Sequence, residues 1–192
     1  MNKQLQKAID SWVWSTWSKY HPRFFITLEW NDLPSDPITA SSHSRHFKNV
    51  FLADYYKVSR ASKIPAFPNR VGMTFFQEKS LYNKNGKTKL AYHTHIHMYN
   101  CDLENTNMSL WLEYPCLCEI YIQHHLGHRI KKLLKSTKTD NEGVVAKCWN
   151  ADHHRSYNYK DFKRYKYHQD ADWVVDYENS DLIAHQPRGK SK

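Results

Sequence analysis

Apolar and polar positions change period several times along this chain, and each change marks an element. Asp10 to Tyr20, rich in tryptophan, predicts a short helix. Arg23-Phe-Phe-Ile-Thr-Leu-Glu-Trp30 follows with the β-branched and aromatic content of a strand. Asn31 to Thr39, containing Pro34 and Pro37, predicts a loop. Phe47, Val50, Phe51 and Val58 then recur near helical spacing and predict a helix over 42–62, with serines at its start to accept from free amides and Pro65 and Pro68 beyond its end. Val71 to Glu78 predicts a second strand, Asn83-Lys-Asn-Gly86 a hairpin turn, and Lys89 to Tyr99 a third strand.

Pro115 can open a further helix, with Ile122, Leu126, Ile130 and Leu133 as its buried stripe and Lys131, Lys132 and Lys135 at its basic end. Val144 to Trp149 predicts a fourth strand, and Asp170 to Asn179 a short helix capped by Asp170. The order predicts an α+β fold: an antiparallel sheet with helices packed on one face, the other face left open for a ligand. One domain over 1–186 and a disordered basic tail over 187–192 account for the chain.

Charge narrows the class of partner. The chain carries 28 Lys and Arg against 19 Asp and Glu, a formal net charge of +9, which favours a polyanion. Its 13 tyrosines and 7 tryptophans, interleaved with cations, suit unstacked bases better than a closed duplex, so a single-stranded nucleic acid is expected. Cys101, Cys116, Cys118 and Cys148 form no CxxC pair or disulfide framework; reduced thiols in a cytoplasmic protein are expected. There is neither a signal-peptide h-region nor an apolar run of membrane-spanning length, so no membrane partner is expected. With no phosphate-cradling P-loop, unwinding falls to a separate helicase.

The third strand carries the chemistry. In Ala91-Tyr-His-Thr-His-Ile-His-Met-Tyr99, alternation sends His93, His95, His97 and Tyr99 to one face and Tyr92, Thr94, Ile96 and Met98 to the other. His95 and His97 can aim ring nitrogens at one ion, and the hairpin brings Glu78 to the same neighbourhood. Two imidazoles and a carboxylate with open positions suit Mg²⁺ or Mn²⁺ acting as a Lewis acid; a structural Zn²⁺ site would more usually recruit thiolates.

His-Thr-His-Ile-His-Met-Tyr-Asn on a strand, after a hairpin strand that ends in Glu78, resembles the His-hydrophobe-His motif of the HUH endonuclease superfamily. That superfamily includes rolling-circle replication initiators, relaxases and single-tyrosine transposases. Arg23 to Trp30 is similar to the family's first motif, an apolar strand with a central threonine, and the similarity is close over Phe24 to Tyr99 and loose elsewhere. The resemblance implies that His95, His97 and Glu78 are metal ligands, with Gln77 an alternative to Glu78. It also implies single-stranded DNA as the partner, and a nick in that strand that leaves a 5′-phosphotyrosine and a free 3′ hydroxyl.

The nucleophile implied by the family is a tyrosine on a later helix, often as Y-x-x-K. Tyr157-Asn-Tyr-Lys160 has that spacing, with Lys160 as its cation. Tyr177 has the better expected setting, two turns into the capped helix, but Ser180 stands where the lysine belongs. Tyr159, Tyr165 and Tyr167 are further candidates. Lys160, Lys163, Arg164 and Lys166, set among those tyrosines, suit a DNA backbone. His124, His125 and His128 read as a polar helix face, and Asp152-His-His154 as a loop. Two other readings account for the charge, a noncatalytic single-strand-binding module and a hydrolase using activated water. The oligomeric state, and the choice among replication, conjugation and transposition, stay open.

Overall fold

A computed structural model describes residues 3–84, 87–103, 117–130, 134, 143–148 and 175–182. Helix α1 (Lys3–Tyr20) leads into β1 (Phe24–Leu28), followed by α2 (Pro37–Tyr55), β2 (Gly72–Lys84) and β3 (Lys87–Tyr99). Two short α-helical turns, α3 (Leu117–Ile120) and α4 (Gly127–Ile130), flank a π-helical turn over Tyr121–His125, and β4 (Val144–Cys148) comes last. The four strands form one antiparallel sheet in the order β2-β3-β1-β4, which puts the histidine strand in the interior of the sheet.

Local chemistry explains where the elements begin and end. Helix α2 starts five residues before the serine-led start expected, because Pro37 stands in its first turn, where a missing N–H costs nothing. The Asp36 carboxylate caps it, accepting from the Thr39 amide and hydroxyl at 2.8 Å each. The β2–β3 hairpin is longer than expected, running in continuous register to Lys84↔Lys87 and leaving Asn85-Gly86 as its connection. The helix expected after Pro115 is interrupted: the Leu126 amide donates to the Tyr121 carbonyl five residues back, just before Gly127, a weak helix former.

One face of the sheet builds the main core. Ile26 and Leu28 of β1, Met73 and Phe75 of β2, Ile96 and Met98 of β3 and Val144 of β4 pack against Phe47, Phe51 and Leu52 of α2 and Ile122, Leu126 and Ile130 of the later helical turns. Each such side chain removed from water contributes about 1.5–3 kcal/mol.

The opposite face, which carries the histidines, is not open along its whole length. Val13 and Trp17 of α1 form a second cluster with Phe76, Tyr99 and Val175. An aromatic row of Phe25, Phe76 and Tyr99 on that face is too apolar to be left in water, and α1 covers it. The helices therefore lie on both faces, a correction to the one-sided layering expected from the element order.

Residues 175–182 run along the outer edge of β2. Val175 bridges to Phe76, the Asp176 amide donates to the Phe75 carbonyl at 3.0 Å, and the Asp181 amide to the Met73 carbonyl at 2.7 Å. The described end of the expected 170–179 helix is thus a bridge followed by a turn. The side chains favour the turn: the Asp176 carboxylate accepts from the Asn179 side-chain amide at 2.8 Å, and the Ser180 hydroxyl donates to the Asp176 carbonyl at 2.6 Å. Asp181 locks the segment down, accepting two hydrogen bonds from Arg70, one from the Lys48 ammonium at 2.9 Å and one from the Met73 amide at 3.0 Å.

Candidate metal centre

The hairpin register sets the geometry of the site. Glu78 stands directly opposite His93, and Phe76 opposite His95, so His95 is the diagonal neighbour of Glu78 on the same face. The Glu78 Oε2 atom lies 2.7 Å from His95 Nε2 and 3.1 Å from His93 Nε2, and the two Nε2 atoms are 3.1 Å apart. Two ligands on one ion at about 2.1 Å, set at right angles, lie about 3 Å apart. These donor atoms already have that spacing. Glu78, His93 and His95 can therefore hold a metal ion.

Electrostatics favour the ionised carboxylate that a metal needs. Burial resists charge on Glu78, but hydrogen bonding and electrostatic interaction with the His93 and His95 rings outweigh it, holding the carboxyl well below the usual carboxylate range. The Thr27 hydroxyl, on the neighbouring strand and in register with His95, lies 2.9 Å from His95 Nδ1. With Nε2 turned to an ion, Nδ1 carries the proton and donates to Thr27, which fixes both tautomer and ring plane. The Phe25 ring stacks on the same imidazole, centroids 5.2 Å apart.

His97 is placed differently from the expectation. Thr74, not Glu78, stands opposite it, and four residues of strand separate it from the position facing Glu78, a run of roughly 13 Å. Its ring is fully buried, with ring centroids 4.7 Å from Phe76, 4.9 Å from Trp17 and 5.8 Å from Phe25. The structure thus joins Glu78 and His95 as expected and puts His93 where His97 was expected. Gln77, the alternative carboxylate position, points to the other face. There its amide accepts from Thr94 at 2.7 Å and donates to Ser44 at 2.9 Å and to Asp176 at 3.3 Å.

Beneath the centre lies a buried polar network that the sequence reading missed. Thr94, between His93 and His95 in sequence, also accepts from the Trp30 indole at 3.0 Å. Asp176 and Asn179 extend the network to Ser41 on α2. It braces the ligand strand against α2 and the 175–182 segment.

Tyr177 sits in the turn of that segment and is 48 % exposed. From Val175, opposite Phe76, the chain runs antiparallel to β2 toward Met73, away from Glu78. Among the described residues no contact joins Tyr177 to the metal centre. Tyr157, Tyr159, Lys160, Lys163, Arg164, Tyr165, Lys166 and Tyr167 lie outside the described residues, as does Asp152-His-His154. On the open side of the histidine face, Val145 and Lys147 of β4, in register with Thr27 and Phe25, are both exposed. No helix among the described residues is long and apolar enough to cross a membrane. Comparison with protein-family models, with curated proteins and with solved structures finds no match.

Proposed function

We propose that this chain is a metal-dependent endonuclease that nicks and rejoins single-stranded DNA through a tyrosine, initiating rolling-circle replication of a plasmid or phage. The observation that carries this reading is the convergence of Glu78 Oε2, His93 Nε2 and His95 Nε2 at ligand spacing on an interior strand. The HUH-type resemblance of that strand is carried over only in part: His93-Thr-His95 supplies the two histidines, but Thr94 stands where the family's His-hydrophobe-His motif has an apolar residue, which His95-Ile-His97 alone provides.

A phenol is a weak nucleophile near neutral pH, and the anionic phosphodiester repels an attacking phenolate. Mg²⁺ or Mn²⁺ held by two imidazoles and a carboxylate would supply Lewis-acid polarisation of a nonbridging phosphate oxygen. The chain's own part is to orient the scissile phosphate. Thr27 and Phe25 fix the His95 ring, and Lys147 offers a cation on the same face. The tyrosine oxygen attacks phosphorus in line, the O3′–P bond breaks, and the 5′ phosphate stays on the tyrosine while the 3′ oxygen takes a proton. Reversal of these steps rejoins the strand.

Tyr177 loses the helical setting that recommended it, and Tyr157 with Lys160 rests on its spacing. Both belong in the test. The protein is incubated with labelled single-stranded DNA of mixed sequence plus Mn²⁺ and run on a denaturing gel, beside Tyr157→Phe and Tyr177→Phe. A covalent protein–DNA band that needs metal and disappears in one tyrosine variant is expected. Cleavage without an adduct points instead to activated water, and binding without cleavage to a noncatalytic module.

A further inference from the structure

On the side of the sheet away from the metal centre, α2, the loop that follows it and the 175–182 segment enclose a cleft of about 810 Å³. Arg45 and Lys48 line it from α2, Arg60 from the loop, Arg70 from just before β2, and Arg129 from α4. We propose that this cleft binds the phosphodiester backbone of a nucleic-acid strand, independently of base sequence and of the metal centre.

Charge makes the first part of the case. Five cationic side chains meet four carboxylates in and beneath the cleft: Asp181 under Lys48 and Arg70, Asp176 behind Asn179 and near Lys48, Glu178 beside Arg45, and Asp54 beside Arg129. A net positive concavity concentrates field lines and attracts polyanions.

The division of labour among the cations makes the second. Lys48 and Arg70 are nearly buried, with side chains 14 % and 11 % exposed, and are committed to Asp181. With Asp181 and the nearby Asp176 they form a rigid, charge-compensated floor rather than free ligands. Arg45 is 60 % exposed at the rim, where its Nε donates to Asn179 at 3.1 Å but its terminal nitrogens make only a long ion pair with Glu178, at 3.6 Å, while Arg60 is exposed on the facing loop. Such rim guanidiniums give up little on meeting a phosphate and donate to it in bidentate fashion. Among the described residues that line the cleft there is no tyrosine, tryptophan or phenylalanine. His46 is the one aromatic ring among those lining residues, so few bases can stack and the contacts there are mainly to the backbone, which carries no sequence information.

The proposal does not rest on nuclease activity, and its test is run in EDTA so that the two can fail separately. Fluorescence anisotropy measures binding of labelled single strands of unrelated sequence, DNA and RNA, to the full chain, to Arg60→Ala and to the Arg45→Glu/Arg60→Glu double variant. The wild-type protein is expected to bind all strands within a few-fold of one another. Arg60→Ala is expected to weaken binding several-fold, and the double variant at least tenfold at low salt. The slope of log affinity against log salt should shrink by about 1.4 in the double variant, from two lost phosphate contacts. Mn²⁺ binding should stay unchanged in both variants. Undiminished strand binding by the folded variants overturns the proposal. So does an effect of the reversals on nucleoside triphosphate binding alone, which would make the cleft a nucleotide site, or a strong preference for one base sequence.

Discussion

At the scale of single residues, the centre depends on which histidines Glu78 can reach. His95 is common to both possible His-x-His pairs, and Thr27 is its brace. Thr27→Val keeps the shape and removes the hydroxyl, so Mn²⁺ affinity should fall about 10- to 100-fold, with no comparable loss of thermal stability. Isothermal titration of the variant checks this, and unchanged affinity would remove Thr27 from the account. His93 was legible in principle. Counting back from a two-residue Asn85-Gly86 loop puts Glu78 opposite His93, whereas a four-residue turn over Asn83 to Gly86 leaves the register undetermined. Alternation alone placed all three histidines on one face, and nothing in that pattern tells a ligand from a ring packed among Trp17, Phe25 and Phe76.

At the scale of elements, the strands were the most legible part, because β1 is a short run of aromatic and β-branched side chains and β3 alternates its histidines with Tyr92, Thr94, Ile96 and Met98. The 175–182 segment was the least legible: the Asp176–Asn179 and Ser180–Asp176 bonds of its turn are local, but the bonds that seat it, to Ser41 and Gln77, are to partners far away in sequence. Asp181 is its anchor, and Asp181→Ala should destabilise the fold by about 3–5 kcal/mol by leaving Lys48 and Arg70 nearly buried without their counter-ion. Urea unfolding measures this, and a loss below 1 kcal/mol would mean that the segment is not structurally coupled to the sheet.

Asp54 ties α2 to the later helical turns, accepting from the Tyr121 hydroxyl at 2.6 Å and from Arg129 and Lys57. Partial burial opposes its charge, but these partners win and lower its pKa. A carboxylate with a lowered folded pKa adds stability that is fully present above its unfolded pKa, roughly 3.9, and is lost as pH falls through the folded value. Wild-type protein should therefore lose stability below about pH 4 more steeply than Asp54→Asn. Parallel acid titrations followed by circular dichroism would show it, and identical profiles would refute it.

At the scale of the whole molecule, the sheet separates two surfaces of different chemistry. One face carries the Glu78, His93 and His95 centre, closed at the Tyr99 end by α1 and exposed along β4; the other side carries the cationic cleft. The net charge of +9 pointed to a polyanion from the sequence alone, but not to two sites, because the cleft gathers arginines from four separated stretches of chain.

Glu78, His93 and His95, without His97, are the proposed holders of the ion. Mn²⁺ binding followed by the EPR signal of the free ion tests this on wild-type protein, His93→Ala and His97→Phe, the last chosen to keep the aromatic packing filled. One ion per chain is expected for the wild type and for His97→Phe, with affinity lowered at least tenfold in His93→Ala. Wild-type affinity in His93→Ala together with lost binding in His97→Phe would contradict the account and move the centre to His95 and His97.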